Sequence, residues 1–343
     1  MRHPLLSALA IGLTLTTLAG SALAQDDLLE LRLATAENDI NPTTDSVLKF
    51  AASMGYYEKH GLKVTIVSLD GTPQAAAALN SGAVDLADIG IDAAIRLRAD
   101  NDVPIRGIVA GTLGAPYLIA GKDDIASIND LPGRSFAIAD NGSLDHNLTQ
   151  VVLTAMGVPA DELNYVAIGA PAARVQALAA GKVDATTVSY GTFLPIADTP
   201  GIKILVQPED FSAESPGLSK FVAVLDSTIE TKHEALQRFV DALVDISRHF
   251  HANPDEWVDA VAAVREDLSR DNLDKTATFL AGRWCVNGCM NAHELDKTVA
   301  FVYANPDFKD VKPVTAADIV DHTFIARTLE TMGADPDPGL DKP

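Results

Sequence analysis

Cysteine is scarce in this chain: Cys285 and Cys289 are the only two in 343 residues. Neither follows the apolar N-terminus, which argues against a bacterial lipid anchor there. Basic residues are also few, 26 Lys and Arg against 47 Asp and Glu, for a net charge of −21. Such a surface disfavours nucleic acid and anionic headgroups as partners. The acidity says little about a ligand, because the charges are spread rather than run in blocks. Beyond the first residues no apolar run approaches the length of a membrane span. Gly-x-Ser-x-Gly, His-Glu-x-x-His and Gly-x-x-x-x-Gly-Lys-Ser/Thr motifs are all missing. Their absence weighs against hydrolase, zinc-protease and nucleotide-binding chemistry, and the chain reads as a non-enzyme without a cofactor.

What is present begins with an export signal. Arg2 and His3 precede an apolar stretch, Leu5 to Ala19, and Ser21-Ala22-Leu23-Ala24 supplies small residues at a cleavage site. Residues 1–24 therefore read as a signal peptide, removed before folding, and the mature chain as a periplasmic protein that is not lipidated. What remains is too long for one ordinary core and suits two domains.

The two cysteines lie in Trp284-Cys285-Val286-Asn287-Gly288-Cys289. An oxidising compartment favours a local disulfide, with Gly288 letting the loop bend. Free thiols are a second reading. A metal site is a third, since His293 continues the spacing of four, although three ligands leave it incomplete; no metal is assigned.

Strand-length apolar runs alternate with amphipathic stretches. Leu31–Thr35, Lys63–Leu69 and Val84–Ile89 read as strands, with helices over Thr44–Gly55 and Thr72–Ser81 between them. This order implies an α/β fold with a parallel-rich sheet flanked by helices. Leu79-Asn80-Ser81-Gly82-Ala83-Val84-Asp85 is echoed by Leu178-Ala179-Ala180-Gly181-Lys182-Val183-Asp184, each a helix end, a Gly stop and a strand entry. Two similar lobes follow: residues 25–117 with 218–343, and residues 122–212, with crossovers near 118–121 and 213–217. Asp85 and Asp184 read as structural. The last third reads as helices over Lys232–His251, Pro254–Leu268, Asp271–Trp284, Ala292–Ala304 and Ala316–Met332, before a mobile Pro-rich tail at Asp335–Gly339.

Four segments carry a family resemblance. Tyr56-Tyr57-Glu58-Lys59-His60-Gly61-Leu62-Lys63-Val64, Ala78 to Asp85, Ile128-Asn129-Asp130-Leu131-Pro132-Gly133-Arg134 and Ala177 to Ala185 follow one another in order and spacing. Across about residues 28–250 they resemble the solute-binding proteins of ABC transporters for nitrate, sulfonates, taurine and thiamine-pyrimidine precursors. The resemblance implies the two-lobed, type II periplasmic binding protein fold, a small-molecule ligand in the cleft, hinge closure and a membrane permease as partner, with the protein itself a monomer. An intracellular branch of similar fold makes the thiamine pyrimidine, but it carries a Cys-rich run that is missing here. A sensory partner of a membrane kinase is a further alternative.

In open α/β sheets ligands sit beyond the carboxyl ends of the parallel strands. The loops there, with Tyr117 near a crossover, make Asn38, Asp39, Asn41, Gln74, Asp92, Tyr117, Ser143, Asp145, Ala172 and Tyr190 the candidate ligand residues. The short polar ones equally serve as helix N-caps. These loops also hold Glu37 and carry no Lys or Arg, which tilts the expected ligand toward one with an amine, an aminosulfonate or aminopyrimidine, or toward an uncharged molecule.

Overall fold

The computed structural model describes residues 28–215 and 217–342. The expected signal peptide, 1–24, lies outside the described residues. The first half of the chain runs β1 (Leu29–Thr35), α1 (Ser46–Ser53), α2 (Tyr56–Lys59), β2 (Leu62–Ser68), α3 (Thr72–Asn80), β3 (Leu86–Gly90), α4 (Ile91–Asn101) and β4 (Ile105–Val109). A second unit follows: β5 (Tyr117–Lys122), β6 (Ser135–Ile138), α5 (Leu144–Ala155), β7 (Asn164–Ala167), α6 (Pro171–Ala179), β8 (Ala185–Ser189), α7 (Tyr190–Phe193), β9 (Ile202–Val206) and α8 (Pro208–Ala213). The chain then returns through β10 (Lys220–Leu225) to α9 (Asp226–Ala252), α10 (Pro254–Val264), α11 (Arg270–Leu280), α12 (Ala292–Tyr303), α13 (Ala316–Ile319) and α14 (Thr323–Met332).

These strands form two five-stranded sheets of matching order, β2-β1-β3-β10-β4 and β7-β6-β8-β5-β9. In each, four strands run in one direction and the fourth in the order runs against them. The antiparallel strand, β10 or β5, is the one that has just crossed from the other lobe. Central strands β3 and β8 are buried at every position, as expected where both faces of a sheet are covered. The first sheet packs under the C-terminal helices through Phe221, Phe239, Phe250 and Trp257. The second is covered on one face by Leu148, Val152 and Phe211 and on the other by Val175, Leu178 and Ile196.

The echoed motif has a physical role in both lobes. Gly82 and Gly181 take φ of 72° and 69° after their helices, a left-handed conformation that glycine adopts at least cost. The Asp85 carboxylate then accepts the Arg32 backbone N–H at 2.8 Å, and the Asp85 N–H donates to Arg32 O at 2.9 Å. Asp184 repeats this with Ser135, at 3.0 Å each way. Each aspartate clasps the strand beside it and fixes where pairing begins. Lys122 at 2.8 Å and Lys232 at 3.1 Å neutralise Asp184 and Asp85 in turn.

Several expectations need correction. Residues 118–121 are not a crossover: they lie inside β5, paired with β8 and β9. The chain leaves the first lobe after Val109, and the two crossings run side by side, with Gly114 N–H donating to Gly217 O at 2.9 Å. The helix expected over Ala316–Met332 is broken, because extended Val320 bridges to Gly107 at the edge of β4. Asp321 then donates its N–H to Gly107 O and accepts from Thr323 N at 2.9 Å to start α14. Lys232, the expected first residue of a helix, is the kink inside α9.

The tail is also not free. Asp341 is 2% exposed, and its carboxylate accepts the backbone N–H groups of Asn287 and Cys289, at 2.5 and 3.0 Å. These amides belong to the loop closed by the Cys285–Cys289 disulfide, which the structure contains. Cys289 there takes a φ of 58°, and the bonded loop turns the N–H groups of Asn287 and Cys289 toward one acceptor while the Gly288 N–H between them donates to Cys285 O.

Candidate functional site

The carboxyl ends of the parallel strands in both sheets face one inter-lobe cleft. Its centre is a pocket of about 450 Å³ of non-protein space, counting its mouth open to solvent, reached by Glu37, Asp70 and Thr72 from the first lobe and by Tyr117, Ser143, Asp145, Arg174, Ser189 and Thr192 from the second. Lys220 completes the lining. Tyr117 and Lys220 are the first residues of β5 and β10. An antiparallel strand starts where its parallel neighbours end, so each crossover strand delivers its first side chain to the cleft.

The Lys220 side chain is largely enclosed, 12% exposed, and among the described residues its one close carboxylate is Asp88, with Nζ donating to Oδ2 at 3.4 Å. Burial works to lower the lysine pKa, but Asp88, Tyr117, Glu37 and Asp45 more than offset it, so the ammonium stays charged. Burial pushes Asp88 up, and Lys220 opposes that. An ammonium has three donors. Among the described residues only Asp88 takes one, leaving the others for whatever fills the cavity. Tyr117 is 6% exposed, and its hydroxyl likewise has no protein partner among the described residues.

Arg174 is 2% exposed. Its Nη1 donates to Gly169 O at 2.7 Å, Nη2 lies 3.7 Å from Asp145 Oδ2, and buried Nε has no partner. Asp145 is committed within its own lobe: Oδ2 accepts the Ala139 N–H at 2.9 Å and Oδ1 lies 2.8 Å from the Ser143 hydroxyl. It shapes the β6–α5 turn and orients the arginine. Glu37 is braced by Asn41 Nδ2 and Thr44 Oγ1, each donating at 2.7 Å. Behind it Lys49 pairs with buried Asp45 at 2.7 Å and donates to Asp39 O. Burial pushes Asp45 up to about 7 despite that pair.

The expected site residues fall into five places. Tyr117, Ser143 and Asp145 line the central cavity. Asn38, Asp39, Asn41 and Ala172 line an adjoining part of the cleft, of about 730 Å³, which shares Glu37, Asp70 and Thr192 with the centre. Asn41 makes only protein contacts, and Asn38 donates to Asp70 at 2.7 Å. Asp92 sits behind Leu144 in a separate apolar inter-lobe cavity, where Asn147 Nδ2 donates to it at 2.5 Å. Gln74 is exposed on α3 and reaches neither chamber, and half-buried Tyr190 faces a groove beside Phe279, ring centroids 6.0 Å apart.

The expectation of a cleft without Lys or Arg is wrong, since Lys220 and Arg174 are both in it. Arg174 lies in the first turn of α6, two residues past Ala172. Lys220 belongs to the returning strand, where loops following parallel strands do not point. Ser189 and Thr192, in the same turn as the expected Tyr190, also line the central cavity.

Two sheets of this order, joined by paired crossings and separated by a polar cleft, define a two-lobed binding protein of the type II periplasmic fold. The family model described as NMT1/THI5 like matches residues 46–257, well over half of the chain, and the chain belongs to that family. A Brucella abortus protein described only as a binding protein is 26% identical over 270 residues, covering 78% of this chain and 81% of its own. Among solved structures, the alkanesulfonate-binding protein SsuA of Xanthomonas axonopodis pv. citri bound to MOPS superposes with a TM-score of 0.66 at 18% identity, covering 87% of this chain and 97% of that one. The periplasmic nitrate-binding protein NrtA of Synechocystis PCC 6803 gives 0.71 at 12% identity, over 91% of each chain. These likenesses are of fold.

Proposed function

We propose that the protein is the periplasmic substrate-binding component of an ABC importer, and that it captures a small organic molecule carrying an acid group, with a taurine-like aminosulfonate as the best fit. The observation that carries this is Lys220: a largely enclosed, charged ammonium with one protein acceptor among the described residues, lining the inter-lobe cavity beside the unpartnered Tyr117 hydroxyl. Arg174 adds a second cation in the second lobe. Together they favour an anionic group where repulsion by the acidic loops was first expected. Glu37 and exposed Asp70 line the boundary with the adjoining chamber and suit an amine at the other end of the ligand. An aminopyrimidine, which lacks the acid group, fits less well.

The role is binding and release rather than chemistry. A ligand touching both lobes has higher affinity for the closed form, and this difference lets a permease distinguish loaded from empty protein. The test is a thermal-shift panel of aminosulfonates, alkanesulfonates, carboxylates, aminopyrimidines and nitrate on the mature chain. A true ligand at a hundredfold its Kd should stabilise by about 2.7 kcal/mol. Stabilisation by aminopyrimidines alone would refute the acid-group assignment.

A further inference from the structure

Direct contacts between the lobes flank the central cavity. On one side Asn41 Nδ2 lies 2.9 Å from both Ser189 Oγ and Thr192 Oγ1, and the Gly191 N–H donates to Thr43 Oγ1 at 3.2 Å. Gly191 is buried in α7 against Asn41-Pro42-Thr43. A methyl carbon placed on it would lie 2.5 Å from Asn41 Oδ1, 2.9 Å from Pro42 Cδ and 3.1 Å from the Thr43 nitrogen. The last two belong to a ring and a backbone, which cannot swing aside as the end of a long side chain can. They are also held: Asn41 N donates to Asp45 at 2.7 Å, and Thr43 N donates to Asn41 Oδ1 at 3.0 Å.

We infer that Gly191 sets how far the two lobes close, and that its missing side chain is therefore a determinant of the largest molecule the cavity can enclose. Glycine is not needed there for its backbone: it lies inside a helix and not in the left-handed region. Within its own lobe alanine would be tolerated or favoured. The requirement for glycine comes from the opposite lobe and exists only when the lobes meet. Thr192, one residue on, lines both chambers of the cleft, so the separation of the lobes at Gly191 fixes the width of the space beside it. The size consequence rests on the reading of this cavity as the ligand site; the closure contact does not.

The test begins without ligand. Spin labels on Met54→Cys in the first lobe and Val166→Cys in the second occupy exposed positions, while the native cysteines are bonded to each other. Pulsed electron resonance should show a short-distance, closed population in the unliganded parent. Gly191→Ala should lower the closed-to-open ratio by about fivefold or more, as overpacking of a close contact implies, with an unchanged far-ultraviolet spectrum. Asn41→Ala with Thr43→Val, which removes the polar contacts without adding atoms, should lower it as well and serves if Gly191→Ala folds poorly. A parent with no closed population, or variants whose distributions superpose on the parent's, would overturn the inference. A second readout is thermal shift with methane- to hexanesulfonate: Gly191→Ala should move the best-stabilising chain length upward. If no sulfonate stabilises the parent, the acid-group reading fails, and the distance distributions still decide the closure contact.

Discussion

Lys220→Met separates the structural role of this lysine from its role in binding. The substitution keeps the length of the side chain and removes its charge, leaving Asp88 buried and unpaired, with its side chain 3% exposed. Breaking one partner of such a pair costs about 3–5 kcal/mol, readable as a lower urea midpoint at pH 7. The loss has a defined pH dependence. Burial raises the folded-state pKa of Asp88, and without Lys220 it rises further. A carboxylate shifted upward favours the fold below its unfolded pKa and loses that contribution as pH rises through the folded value. The variant should therefore be closest to the parent near pH 4 and furthest from it at neutral pH and above. Asp88→Asn in the same chain removes the stranded charge and should restore stability to within about 1–2 kcal/mol. Ligand affinity should not return in the double variant, because the ammonium is what meets the acid group; the deficit should be about 2–5 kcal/mol by calorimetry. A double variant that binds as tightly as the parent would refute the assignment of Lys220 to the ligand.

Further expectations concern the aspartates. Asp184→Ala removes the clasp on β6 and should destabilise the second lobe by about 1–3 kcal/mol. Although burial opposes it, hydrogen bonds from Lys122 and Ser135 hold the Asp184 pKa at about 2. The contribution it makes is thus present above pH 4 and lost as pH falls toward 2, and the parent and variant denaturation curves should converge in acid. Asp341→Ala should release the tail and speed hydrogen exchange at the Asn287 and Cys289 amides, which a labelled exchange experiment reads directly. Burial pushes Asp341 up to about 6, so the stability this group confers should decline as pH rises through 6. Asp92→Asn should leave ligand affinity within about threefold, since Leu144 separates it from the central cavity and an asparagine can still accept from Asn147; a loss of about 2 kcal/mol or more would place Asp92 back in the binding site.

Local signals in the sequence carried much of the fold. Gly82 and Gly181 after helices, followed by Val-Asp, mark matching points in two lobes, because a left-handed stop and a strand-clasping carboxylate both act over short distances. Features made by distant segments were not legible. The break at Val320 exists because β4 offers an edge to bridge, and the tail is ordered because Asp341 meets the amides of the disulfide loop. The site divides in the same way. Ser143 and Asp145 follow their own strand, so their place at the cleft was legible; Lys220 reaches the cleft only through a strand returning from the other lobe. Asp92 and Tyr190 stand at helix starts beside the cleft, but Leu144 screens the first and the turn into α7 directs the second toward Phe279.

The most direct measurement is a crystal structure of the mature chain with the tightest binder from the panel. The account expects one molecule in the central cavity, contacted from both lobes, with its acid group within hydrogen-bond distance of Lys220 Nζ and the Tyr117 hydroxyl. A molecule held by one lobe alone, or seated in the groove beside Tyr190 and Phe279, would contradict it.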